Sequence, residues 1–215
     1  MISTRHLIPA AMLLLLLLTP RSSAQAQISI GPKVGINSAN ALIHVDEERN
    51  PPTTSRQGFI VGGVLEFGLS GALSIQIEPQ YARKGYRLDD TFALQSFTVI
   101  ANLDYLEMPM LVKATWKTGG FRAFAFAGPN IGFRVSAQLS SVMPNSVETR
   151  HVEYSTKDID VALDLGGGIG FDMGKNTTFY TDARLSHGLT NISTRRDSYH
   201  SRDFKVAVGL QFAME

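Results

Sequence analysis

The chain has 215 residues, 20 basic against 19 acidic side chains, 44% apolar residues, one Trp and no Cys. Without thiols it can hold no disulfide framework, no cysteine-ligated zinc or iron–sulfur centre and no cysteine nucleophile. A net charge of +1 leaves no electrostatic footprint for nucleic acid, and the length allows one or at most two domains.

The first 26 residues read as a secretory signal peptide. Arg5 supplies a basic start, Leu7 to Leu18 an apolar stretch with six consecutive Leu, and Ala24-Gln25-Ala26 a small-x-small cleavage site. The apolar stretch is shorter than the roughly 20 residues a spanning helix needs, and Pro20 follows it. The expected organisation is a signal peptide over 1–26, exported by the Sec route and cleaved after Ala26, followed by one barrel domain over 27–215.

No later segment approaches the apolar length of a membrane helix, so a membrane role requires strands. A period of two then runs down the chain. In 27–37, Ile28, Ile30, Val34 and Ile36 alternate with Ser29, Gly31, Lys33, Gly35 and Asn37; in 58–68, Phe59, Val61, Leu65 and Phe67 oppose Glu66. In 73–85, Leu73, Ile75, Ile77 and Tyr81 oppose Ser74, Gln76, Glu78, Gln80 and Lys84; in 102–116, Leu106, Met108, Met110, Val112 and Trp116 oppose Glu107 and Lys113. Segment 121–137 sets Ile131, Phe133 and Val135 against Arg122, Asn130 and Arg134, with Phe124 and Phe126 on the polar side. The alternation is cleanest in 158–173, and 177–189 and 202–214 complete eight segments.

The gaps between segments alternate in length. Those at 69–72, 117–120 and 174–176 are short and carry Ser70-Gly71, Gly119-Gly120 and Gly174-Lys175-Asn176, whereas 39–57, 86–101, 138–157 and 190–201 are long and polar. Short turns on the periplasmic side and long loops outside are what an up-and-down barrel in an outer membrane requires. The fold class expected is therefore all-β, an eight-stranded antiparallel up-and-down transmembrane β-barrel. Pro79 and Pro109 fall inside strands, where each removes a ladder donor, and local bulges are expected at both. Tyr81, Tyr86, Tyr105, Trp116, Phe121, Phe171, Phe179, Tyr180 and Phe204 lie near segment ends, where amphipathic rings favour the membrane–water interface.

With the oily face outward, a polar core is expected in the lumen: Lys33, Glu66, Glu78, Glu107, Lys113, Arg122, Arg134, Asp160, Asp164, Asp182, Arg184 and Lys205. Eight strands leave an interior just wide enough for side chains to fill, so these groups are expected to pair rather than to line an open channel. Gly166-Gly167-Gly168-Ile169-Gly170 has neither the following helix nor the Lys-Ser/Thr of a phosphate loop. Ser and His candidates for rim chemistry are Ser186-His187, His200-Ser201, His151 with Glu153, and His44 with Asp46 and Glu47. Neighbours on a strand face opposite ways, so Ser186 and His187 are not expected to pair as nucleophile and base. The His, Asp and Glu groupings lack tight metal-ligand spacing. No catalytic, cofactor-binding or metal residue is assigned.

Specific stretches resemble a known family. Tyr105-Leu106-Glu107-Met108-Pro109-Met110-Leu111-Val112-Lys113 resembles the YLEIPLLLK strand of the PorT-like outer-membrane β-barrel family. Gly31-Pro32-Lys33-Val34-Gly35-Ile36-Asn37-Ser38 is similar to that family's opening strand, Ala127-Gly128-Pro129-Asn130-Ile131-Gly132-Phe133 to its GP-x-x-G strand, and Ser186-His187-Gly188-Leu189-Thr190-Asn191-Ile192 to the end of its seventh. The resemblance implies an eight-stranded outer-membrane barrel, and founding members are tied to secretion and surface display. The expected function is a non-enzymatic barrel with a structural, adhesive or assembly role, touching outer-membrane lipid and, through its loops, other envelope or secretion proteins. Residues 39–57 and 138–157 are the loops expected to make those contacts. Two alternatives are a lipid-modifying or hydrolytic barrel enzyme using rim Ser and His groups, and an inverted soluble barrel with an apolar interior.

Overall fold

The computed structural model describes residues 27–44, 53–92, 95–143, 146–151, 158–190 and 198–214. The signal-peptide segment therefore lies outside the described residues. Among the described residues ten strands form: β1 (Ile28–His44), β2 (Thr53–Ser70), β3 (Leu73–Ile77), β4 (Gln80–Phe92), β5 (Gln95–Thr118), β6 (Phe121–Met143), β7 (Ser146–His151), β8 (Ile159–Asp172), β9 (Thr177–Gly188) and β10 (Ser198–Met214). No described helix is long and apolar enough to cross a membrane.

β3 and β4 act as one staff of the barrel, both pairing with β2 and with β5. Counting them together, eight antiparallel staves form a ring that closes where β1 pairs with β10, from Ile28↔Met214 to His44↔Ser198. Closure leaves no strand edge facing hydrocarbon, the condition for a sheet to survive in lipid. β7 stands outside the ring and folds back on the upper part of β6.

The two prolines behave differently. Pro79 separates β3 from β4, yet the ladder is carried past it: Gly63 N donates to the Pro79 carbonyl at 3.0 Å and Glu78 N to the Pro109 carbonyl at 3.0 Å. Pro109 produces no bulge, contrary to expectation. β5 continues through it in register with Asn130, because its carbonyl still accepts, and the register shift falls instead between Asp104 and Tyr105.

The larger departure is strand length. Much of the four segments expected to be loops is strand: β1 continues to His44, β2 begins at Thr53, β4 and β5 nearly meet at Phe92 and Gln95, and β6 runs to Met143 before β7 turns back. β5 has 24 residues, about 80 Å at roughly 3.3 Å per residue, whereas a tilted strand crosses the hydrocarbon in about 9–11 residues. Above the membrane the outer face of a strand meets water instead of hydrocarbon, so the apolar/polar alternation is no longer required while the ladder persists. Polarity in those segments marks the end of the lipid, not the end of the strand.

The outer wall is apolar. Val34, Ile36, Val61, Leu106, Val112, Leu163, Leu165 and Leu185 all point outward and are exposed, which is the lipid face of a barrel and the reverse of an inverted soluble one. Trp116, Phe121, Phe171 and Phe179 ring the tight-turn end, with Phe121 and Phe171 edge to face at 5.4 Å. At the opposite boundary Phe59 and Tyr81 pack at 5.6 Å, with the Arg83 guanidinium 5.4 Å from the Phe59 ring and bonded to Asp104 at 2.8 Å. Tyr105 and Tyr180, expected at the interfaces, are instead buried in the lumen. The side chain of Tyr86 lies outside the described residues.

Candidate functional site

The inward face stacks three charged clusters along the barrel axis. Nearest the tight turns, Lys113 Nζ bonds Glu66 Oε2 at 2.8 Å and Gln76 Oε1 at 3.1 Å, while Ser74 and Gln211 each donate to Glu66 at 2.7 Å. The Lys113 ammonium also sits 4.4 Å from the centre of the Phe124 ring.

The middle cluster is the most tightly paired. Lys33 Nζ lies 2.9 Å from both Glu78 and Asp182, and Arg184 reaches Glu78 at 2.8 Å, Asp182 at 3.1 Å and Asp164 at 3.7 Å. Gln76 donates to Glu78 and so joins this cluster to the one below. Glu78 and Asp164 are wholly inaccessible. Four staves supply these groups, so the cluster also ties the ring across its diameter.

Above it, Lys84 contacts Glu107 at 2.6 Å, Asp203 at 2.8 Å and Asp160 at 3.8 Å, and Lys205 bonds Glu107 at 2.7 Å. Gln80 donates to Glu107 at 2.8 Å, and Ser201 and Thr190 donate to Asp160 at 3.1 and 3.0 Å. Glu66, Glu78, Glu107 and Asp160 each meet a cation and a neutral donor, which is how buried charge is tolerated, whereas Asp182 and Asp203 meet cations alone and Asp164 has only the Arg184 guanidinium at 3.7 Å.

Ten of the twelve residues expected in the lumen fall in these clusters. Arg122 and Arg134 sit at the two rims, paired with Asp172 at 2.6 Å and Asp158 at 2.5 Å. Two further partners, Lys84 and Asp203, are as buried as the rest. Their signal was present in the sequence: Lys84 shares parity with Glu78 and Gln80, and Asp203 with Lys205.

The lumen is not polar throughout. Val64, Leu111, Phe124, Phe126 and Tyr180 form an apolar cluster inside the ring, and Leu103, Tyr105 and Ala137 form a second. The glycines of β8 lie close to both the neighbouring backbone and these rings: a Cβ on Gly168 would lie 2.1 Å from the Thr181 carbonyl oxygen and 2.6 Å from Phe124 Cζ, and one on Gly166 2.4 Å from the Ala183 carbonyl oxygen and 2.8 Å from Phe126 Cε2. The run 166–170 is thus a seat for two inward rings. Ions and rings together fill the barrel.

Rim chemistry finds no constellation among the described residues. Ser186 is buried between the register partners Asp164 and Asp203, while His187 is exposed on the lipid face. Ser201 is bonded to Asp160. The side chains of His44, His151 and His200, and the residues Asp46, Glu47 and Glu153, lie outside what is described. No group of three His, Asp or Glu among the described residues is arranged to hold a metal ion.

At the tight-turn end the lumen opens into a cavity of about 210 Å³, floored by Glu66, Lys113, Phe124 and Tyr180 and rimmed by Lys117, Arg122 and Lys175.

Known structures share this architecture. OprG, an outer membrane protein of Pseudomonas aeruginosa, matches with a TM-score of 0.58 and 10% identity over 92% of this chain and all of its own. Neisserial surface protein A matches with a TM-score of 0.50 and 11% identity over 86% of this chain and 96% of its own. At those identities the likeness is one of fold. No curated protein sequence matches the chain. The closed ring, its apolar wall and the match of residues 23–194 to the family model agree: the chain belongs to the family of the outer membrane protein beta-barrel domain.

Proposed function

We propose that this protein is a non-enzymatic outer-membrane barrel, PorT-like within its family, that serves a structural, adhesive or surface-assembly role through the strand extensions above the membrane. The reading includes export with cleavage after Ala26 and a mature barrel over 27–215. The observation that carries it is the filled lumen: Lys33, Glu78, Asp182 and Arg184 pair across the ring with almost no accessible surface. A barrel blocked in this way has its outer surfaces left for work, and loops on a rigid scaffold are where binding groups gather.

The partners proposed are outer-membrane lipid along the wall and other envelope or secretion proteins at the extensions, above all β6 with β7. The test replaces residues 139–157 by a short Gly-Ser linker in the producing organism. The expected result is a barrel that still fractionates with the outer membrane and still shifts on heating in gels, with adhesion or surface secretion lost to the level of the gene deletion and lipid profiles unchanged. A deletion strain with an altered lipid A or phospholipid profile would overturn the non-enzymatic reading.

A further inference from the structure

The lumen holds more carboxylates than its cations answer. Four cations face six carboxylates across the middle and upper clusters, and Arg56, half-buried above them, does not close the difference. The shortfall falls on Asp164. Its side chain is wholly buried, and neither carboxylate oxygen has a hydrogen-bond partner among the described residues. Its ion partner, Arg184 Nη1, stands 3.7 Å away and is engaged more closely by Glu78 at 2.8 Å. A carboxylate out of water and without a close partner is among the costliest groups a fold can carry.

A second observation lies beside it. Ser186 of β9 is the register partner of Asp164 on one side and of Asp203 on the other, and Asn130 of β6 stands diagonal to Asp164, opposite Ala162. Ser186 is 3% and Asn130 2% exposed, and Ser186 Oγ and Asn130 Oδ1 also lack a hydrogen-bond partner among the described residues. The positions between them are small: Gly128 is opposite Asp164, and Ala162 has Asn130 on one side and Gly188 on the other. Opposite residues on paired strands have Cβ atoms about 4.5–5.5 Å apart and diagonal ones sit about 7–8 Å apart, so these side chains can converge over that low floor. Carboxylate, hydroxyl and amide oxygens that are neighbours and yet share no hydrogen bond form the ligand set of a hard cation, which holds its oxygens apart around itself. The Arg184 guanidinium close by makes a singly charged ion the better match to the uncompensated charge.

We propose that Asp164, Ser186 and Asn130 hold a monovalent metal cation, sodium or potassium, inside the barrel between β6, β8 and β9. Asp203 adds negative charge from the far side of Ser186. The inference goes beyond the role proposed for the strand extensions and does not depend on it.

The full barrel is refolded in detergent micelles in choline chloride with a chelator of divalent ions, and unfolded by urea as choline is exchanged for sodium or potassium at constant ionic strength. The site is closed to solvent, so the ion is read through the unfolding equilibrium. A site present only in the folded chain makes the unfolding constant fall about tenfold for each tenfold rise in the ion above its dissociation constant. That dependence is expected with sodium, with potassium or with both, and the stronger response identifies the ion. Asp164→Asn keeps the shape without the charge and should abolish it. Ser186→Ala should move it to an ion concentration higher by about tenfold or more, the loss usual for groups that support a bound metal. Asp172→Asn at the tight-turn rim should leave it intact. Should either site variant fail to give the heat-shifted band, the other decides. Equal stability in choline, sodium and potassium would overturn the proposal and leave these oxygens to water. A full response in Asp164→Asn or in Ser186→Ala, or a response to calcium alone when the chelator is omitted, would overturn it as well.

Discussion

Glu78 is the residue on which most of the lumen converges. It accepts from Lys33 at 2.9 Å, from Arg184 at 2.8 Å and from Gln76, with no accessible surface of its own. Removing one partner from a buried ion network strands the others, at a typical cost of about 3–5 kcal/mol. The Arg83–Asp104 pair on the outside is 44% exposed at its arginine and, like most exposed pairs, is worth about 1 kcal/mol or less. Glu78→Ala should therefore lower unfolding free energy in urea-treated lipid vesicles several-fold more than Arg83→Ala. Equal losses would mean that the lumen is hydrated enough to screen its charges. Strand parity placed Glu78 indoors from the sequence alone, since Ser74, Gln76 and Gln80 share its face. Parity says nothing of height along the axis, so it could not foretell that Glu78 meets Arg184, 106 residues away. That meeting depends on the stagger of the closed ring, which no single strand encodes.

At the scale of the element, β8 shows how one strand shapes its neighbour. Its inward glycines face the inward rings of β6, through the register pairs Phe126↔Gly166 and Phe124↔Gly168. Read as a sequence, Phe124 and Phe126 broke the pattern of β6 and the glycine run was only a phosphate loop without its helix or its Lys-Ser/Thr. The two anomalies explain each other once the strands are paired. Gly168→Val should overpack this layer, a change that costs about 1–3 kcal/mol, and should reduce the fraction of heat-shifted barrel on gels. Phe124→Leu in the same chain relieves only the contact with the ring and leaves the Thr181 carbonyl oxygen 2.1 Å from the new Cβ, so it should restore only a small part of the loss. If the double variant folds no better than Gly168→Val alone, the glycine serves the backbone and not the ring. The upper strand extensions were illegible for a different reason. Sequence periodicity reports a contrast between two environments, and above the lipid the outer faces of β5 and β6 meet water instead of hydrocarbon. What alternation did define was the belt inside the bilayer, and it defined it closely.

For the molecule as a whole, the mean hydropathy is only +0.01, a value that by itself suggests no membrane. The ring resolves this by sorting rather than enriching. Charges go inward, apolar groups go outward, and the average conceals both. An outer-membrane location follows from the family, and the same sorting determines where a charge is tolerated. Leu165 points outward from the middle of β8 at 60% exposure, between its register partners Ala127 and Leu185 on the same lipid face. Met173 points outward just beyond the end of β8, at 64% exposure. By depth alone, Leu165→Arg should cost about 2–4 kcal/mol and Met173→Arg about 0–1 kcal/mol in phospholipid vesicles, since arginine is penalised most at the midplane and little at the interface. In a water-exposed wall the two arginines would be equally harmless, because both sites would already meet solvent. The difference between the variants therefore measures the bilayer directly, and a difference near zero would deny that this wall ever faces lipid.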